Sequence, residues 1–134
     1  MLMTRASEYA LLSLIVLAKA QKPLDTETLS KELDISKSFL AKILQALARA
    51  NIIDSFKGVN GGFSLKEDTM QSSILSILCA VENKSPQVFD CATSKSDCPS
   101  NKATTCGIWP FLNRLQGKID TFLDSLTLQD LLEA

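Results

Sequence analysis

Apolar residues in this 134-residue chain recur mainly at steps of three and four, the period of helices that bury one face. A first helix is predicted over about residues 4–19, with Tyr9, Leu12, Ile15 and Val16 among its inward positions. "QKPLD" interrupts it, because Pro23 disfavours helical backbone at the residue before it. "DTETLSKELDIS" restarts a short helix, capped by Asp25 or Thr26, with Leu29 and Leu33 one turn apart. Residues 34–36 form a tight turn, and Ser36 caps the next helix, "KSFLAKILQALARAN". There Leu40, Ile43, Leu44 and Leu47 follow the i, i+3, i+4, i+7 order of a core face. Lys37, Ser38, Lys42, Gln45 and Arg49 fall outside that face.

A short helix, a tight turn and a longer helix with a polar outer row make the helix-turn-helix pattern. "IIDSFKGVNGGFSLK" follows at once and changes period. Ile52 and Ile53 open one strand, Phe63 and Leu65 alternate on a second, and Asn60–Gly61 is expected to supply the positive φ of the turn. A hairpin directly after a helix-turn-helix is the mark of a winged helix. "TMQSSILSILCAVEN" returns to helical spacing, with Ile74, Leu75, Leu78 and Val81 inward. After Gly107, Ile108, Phe111, Leu115, Ile119, Phe122 and Leu126 form one long seam on a last helix. So wide a stripe on a terminal helix has little left to cover it within one subunit, which predicts a twofold homodimer. The expected fold is thus mainly α with a small β-hairpin wing. A winged helix-turn-helix domain spans 1–82, a cysteine-bearing sensor loop 83–107, and a dimerisation helix with a short tail 108–134.

Charge sharpens this picture. The net charge of −1 hides a split, since residues 1–66 carry nine Lys/Arg against six Asp/Glu (+3) and residues 67–134 carry five against nine (−4). The basic half is where a polyanion binds, and double-stranded DNA is the expected partner. Lys37, Lys42 and Arg49 would neutralise phosphates, Ser36 and Ser38 would bond phosphate or base edges, and Gln45 would pair with adenine. Lys57, Asn60 and Gly61 would carry the wing to the adjacent backbone or minor groove. The N-terminal apolar run is too short to span a bilayer, so a cytoplasmic protein without membrane contact is expected. With no histidine for base work and no phosphate-cradling loop, the chain does not read as an enzyme.

The remaining chemistry is sulfur. "CATSKSDCPSNKATTCG" holds Cys91, Cys98 and Cys106, near Lys95 and Lys102, which favour thiolate. In a reducing compartment such a group suits metal or redox chemistry more than structural disulfides. Iron–sulfur clusters and zinc both select thiolate, but the close Cys-x-x-Cys pairs usual in zinc sites are absent. A thiol redox switch is open as well. Cys79 sits in an apolar helical pattern and reads as core.

"TRASEYALLSL", "ISKSFLAKILQAL", "KGVNGGFSL", the three-cysteine loop and "LTLQDLL" resemble, in order, the Rrf2 family of bacterial winged-helix transcriptional regulators. The resemblance implies a dimeric transcription factor, expected to be a repressor. In the family's iron–sulfur sensors, loop cysteines hold a 2Fe–2S or 4Fe–4S cluster, and these positions fall on Cys91, Cys98 and Cys106. Members of the IscR type place a histidine after the third cysteine, where this chain has Gly107–Ile108–Trp109. Members of the NsrR type use an N-terminal carboxylate, which matches Glu8. The resemblance therefore implies metal ligands Cys91, Cys98, Cys106 and Glu8, and sensing of redox state, nitric oxide or iron–sulfur status. The alternative is a cluster-free winged-helix regulator that uses a thiol switch, zinc, or a small-molecule or protein partner.

Overall fold

The computed structural model describes residues 3–89 and 106–134. Helix α1 (Arg5–Lys19) opens on Thr4, whose side chain accepts from the Ser7 amide as an N-cap. Helix α2 (Thr26–Leu33) opens on Asp25, which accepts from the Thr28 amide at 2.7 Å. Asp34, in the left-handed region at φ 54°, turns the chain, and Ser36 caps α3 (Lys37–Arg49) by accepting from the Phe39 amide. Strands β1 (Ile53–Phe56) and β2 (Gly62–Leu65) pair antiparallel, from Ile53 opposite Leu65 to Phe56 opposite Gly62. A 3-10 turn (Glu67–Gln71) leads to α4 (Ile74–Glu82), and α5 (Trp109–Ser125) and α6 (Leu128–Glu133) complete the fold.

One core joins these elements. Ala10, Leu14 and Leu17 of α1 meet Leu29 of α2, Leu40, Ile43, Leu44 and Leu47 of α3, and Ile74, Ile77 and Leu78 of α4. The periodic leucines of α3 are all buried, as their spacing predicts. The phase of α1 differs in part from the expected one. Tyr9 and Val16 pack half-buried against the core, but Leu12 is exposed and Ile15 lies outside the core, while Ser7, Ala10, Ser13, Leu14 and Leu17 are the fully inward positions. Ser13 can occupy the core because its hydroxyl donates to the Tyr9 carbonyl at 2.7 Å. Residues 69–83 likewise do not form one helix, because the Ser73 hydroxyl caps a new start by accepting from the Ser76 amide.

The terminal seam also breaks. Helix α5 ends at Ser125, and the chain reverses through a bridge between Ser73 and Thr127. The Ile74 amide donates to the Leu126 carbonyl at 2.8 Å, and the Leu128 amide to the Ser72 carbonyl at 3.0 Å. Thr127 and Asp130 form a reciprocal capping box, and Leu128 then enters the core fully buried.

Candidate nucleic-acid interface and thiol centre

With Leu40, Ile43, Leu44 and Leu47 turned inward, helical geometry leaves Lys37, Ser38, Lys42, Gln45 and Arg49 outside, and all five are exposed. Among the described residues the ion pairs are Arg5–Glu8, Lys31–Glu27 and Lys66–Asp54. None engages Lys37, Lys42, Arg49 or Lys57, so these cations keep their charge for a polyanion. Ser36 is exposed beside this row with its oxygen accepting from the Phe39 amide, which leaves its hydroxyl hydrogen for an outside acceptor. Thr28 bonds hold the Asp25 carboxyl below its usual range, with Lys37 and Lys31 adding to the effect. Asp25 therefore remains ionised as a helix cap at neutral pH.

The wing is shaped by its glycines, though not where Asn60–Gly61 suggested. Positive φ falls on Gly58 (101°) and Gly62 (136°), so the loop spans residues 57–61 and is wider than a two-residue turn. A Cβ on Gly61 would strike the Phe56 carbonyl oxygen, and one on Gly62 would lie 2.5 Å from the Leu24 carbonyl. That close approach lets β2 pair with the α1–α2 linker. The Leu24 amide donates to the Phe63 carbonyl at 3.0 Å and the Phe63 amide returns a bond at 2.7 Å. Lys57 and Asn60 are exposed and Gly61 is half-buried at the base of the tip.

The predicted metal ligands divide. Cys106 is a free, half-buried thiol just ahead of α5. Glu8 is exposed in the first turn of α1 and paired with Arg5 at 3.1 Å. Cys91 and Cys98 lie outside the described residues. Among the described residues, no three histidine, cysteine or carboxylate side chains gather around a metal position. Three thiolates and a carboxylate, the donors that the sequence resemblance implies, are of a kind that iron accepts. Cys79 is half-buried, not sealed in the core, and its thiol lies 3.7 Å from the Ser85 hydroxyl.

Two polar anchors escaped sequence reading. Gln116 of α5 is buried, and it accepts from the Val88 amide at 2.8 Å while donating to the Pro86 carbonyl at 2.8 Å and to Asp120 at 2.7 Å. It thereby fixes the segment leading into the cysteine loop onto the helix that follows that loop. Glu82, the last residue of α4, accepts from the hydroxyls of Thr4 and Ser7 and so ties the same region to the start of α1. Both partners lie far away in sequence, and no local pattern announces them.

An exposed basic row on the second helix of a helix-turn-helix, flanked by a glycine-shaped wing, defines a winged-helix DNA-binding regulator. The Rrf2 family model, described as "Iron-dependent Transcriptional regulator", matches residues 3–134, and the chain belongs to that family. An HTH-type transcriptional regulator IscR from Vibrio cholerae is 28% identical, over 98% of this chain and 75% of the relative. An HTH-type transcriptional regulator from Synechocystis is 30% identical, over 98% of this chain and 87% of the relative. Among solved structures, the oxidised form of Staphylococcus aureus CymR superposes with TM-score 0.72 at 24% identity, over 100% of this chain and 98% of that one. IscR of T. potens superposes with TM-score 0.67 at 19% identity, over 97% and 85%. Like these relatives the chain is a regulator of transcription and not an enzyme, and no helix among its described residues is long and apolar enough to cross a membrane.

Proposed function

We propose that this protein is a homodimeric, cytoplasmic transcriptional repressor whose operator affinity is set by an iron–sulfur cluster on Cys91, Cys98, Cys106 and Glu8. The observation that carries the reading is the attachment of both ends of the cysteine segment to α5. Gln116 grips residues 86 and 88 at the entry, and Cys106 sits at the exit, three residues before α5 begins. When bound, the cluster supplies redox-active iron, whose state depends on its ligands and surroundings. The residues do the rest. Gathering the three thiolates on iron would shift the loop base, Gln116 would pass that shift to α5, and α5 would set the separation of the two DNA-reading units. Glu82 passes it to the start of α1, beside Glu8. A carboxylate is a harder donor than thiolate and is already shared with Arg5, so Glu8 is the ligand most readily released.

On DNA, α3 of each subunit enters the major groove and the wing reaches the flanking minor groove. The two half-sites then lie about one helical turn, roughly 34 Å, apart. The side chains divide the labour. Gln45→Ala is expected to relax base preference with little change in salt dependence, whereas Lys42→Ala weakens all sequences alike and reduces the salt slope by about one. Anisotropy titrations on specific and scrambled duplexes at several salt concentrations separate these effects, and matching responses would refute the division.

Anaerobic isolation tests the cluster itself. Brown protein is expected, with visible absorption that Cys98→Ala abolishes. Cluster-loaded and chelator-stripped protein should differ about tenfold or more in DNA affinity. Colourless protein, stoichiometric zinc, or equal affinities would overturn the reading. A cluster-free thiol switch is the second reading, favoured by the likeness to a CymR solved in an oxidised form. In it, two thiols give up two protons and two electrons to a peroxide and form a disulfide, and a dithiol reductant restores DNA affinity in metal-free protein.

A further inference from the structure

The tip of the wing carries Val59, which is fully exposed. A single exposed apolar residue is ordinary on a protein surface. Val59 differs in the rigidity of what holds it and in its surroundings. Four paired positions of β1 and β2, the two Leu24–Phe63 backbone bonds, and glycines 61 and 62, at which a Cβ would collide with backbone, fix the hairpin against the rest of the domain. Gly58, at φ 101°, presents Val59 at the turn. Lys57 lies two residues before it, and Lys22, Asp25, Asn60 and Val59 are among the residues lining one groove between the wing and the start of α2. An apolar point is thus held at the wing tip, beside a groove that carries both the Lys22 cation and the Asp25 carboxylate, on the proposed DNA side of the molecule.

We infer that Val59 is an apolar probe of the minor groove, one that prefers A·T pairs at the position the wing touches. This rests on the DNA-contact face described above. In the minor groove, G·C differs from A·T by the guanine N2 amino group. An apolar side chain pressed to the groove floor has no acceptor for that donor and would strip its water without return. Over A·T pairs the same methyl groups meet the adenine C2–H edge and the sugar walls, and their burial is favourable. Because the contact is uncharged, it adds affinity and base preference without adding to the salt slope, in contrast to Lys57.

The test uses a duplex selected from a random pool by the wild-type protein. Val59→Ser should weaken binding about tenfold with the salt slope unchanged, and Val59→Ile should restore wild-type affinity. Replacing each adenine in turn by 2,6-diaminopurine adds the minor-groove amino group and leaves the major-groove edge intact. At the wing position this should weaken wild-type protein about as much as Val59→Ser does, and should barely affect the variant. Wild-type affinity for Val59→Ser, or an equal diaminopurine penalty for both proteins, would overturn the inference while leaving DNA recognition by α3 in place. Failure of the wild-type protein to select any duplex would bring down the DNA-contact face and this inference together. Melting temperature serves as the control, since a fully exposed tip residue should not alter it.

Discussion

Phe111→Asp combined with Phe122→Asp is expected to yield a monomer that binds a two-half-site duplex about a hundredfold more weakly than the wild type. Phe111 is 59% exposed and Phe122 63% exposed, and Ile108 is exposed on the same stripe of α5, with Leu115 and Ile119 half-buried between them. A neighbouring stripe of the helix serves its own subunit, where Gln116 holds the loop base and Leu123 packs on the core. The phenylalanines therefore have no role inside the protomer that aspartate would destroy. Across a twofold interface they would be buried, and a carboxylate placed there must be desolvated without a partner. Loss of the dimer removes the advantage of a tethered second half-site, which is worth about 100- to 10,000-fold. Sedimentation reads the mass, anisotropy on an unchanged duplex reads the affinity, and circular dichroism should report unchanged helix content. A dimer that survives both substitutions would show that α5 is not the interface.

The DNA-reading half was legible because each of its signals is local. Asp25 and Ser36 cap the helices that their residue types predict, and the spacing of Leu40, Ile43, Leu44 and Leu47 fixes the outward face without reference to any other element. The phase of α1 was not legible. Its run from residue 10 to 18 is apolar on nearly every side, so periodicity carries no phase, and a buried Ser13 bonded to a backbone carbonyl imitates a solvent position. The wing was found but its turn was misplaced, because three glycines lie within residues 58–62 and only the approach of Leu24 decides which need positive φ. Gln116 and Glu82 were invisible for another reason: their partners lie 28 to 30 and 75 to 78 residues away. A polar residue on a helix reads as solvated until its distant backbone partners are known. The regulatory reading depends on these contacts most, and pattern reading has least access to them.

The reversal after α5 leads to the second large effect. Leu128→Ala is expected to cost about 2–5 kcal/mol of folding stability, because it empties a fully enclosed site that rigid neighbours refill poorly. For a domain of this size that is a fall in melting temperature of about 10 °C, read at one fixed protein concentration because the midpoint of any associating protein depends on it. Helix α6 has only six residues and would not persist in water alone. Leu128, the capping box and the Ser72 and Ile74 backbone bonds hold it in place. It packs on the 3-10 turn, whose Thr69 hydroxyl donates to the Ile52 carbonyl at the root of the wing. Damage at position 128 should therefore reach DNA affinity as well as stability, although α6 makes no DNA contact in the proposed geometry. Glu133→Ala, at an exposed position of the same helix, should change the midpoint by no more than about 1–2 °C. If Leu128→Ala melts alongside that control, α6 is an appendage, and the wing is supported by β1, β2 and Leu24 alone.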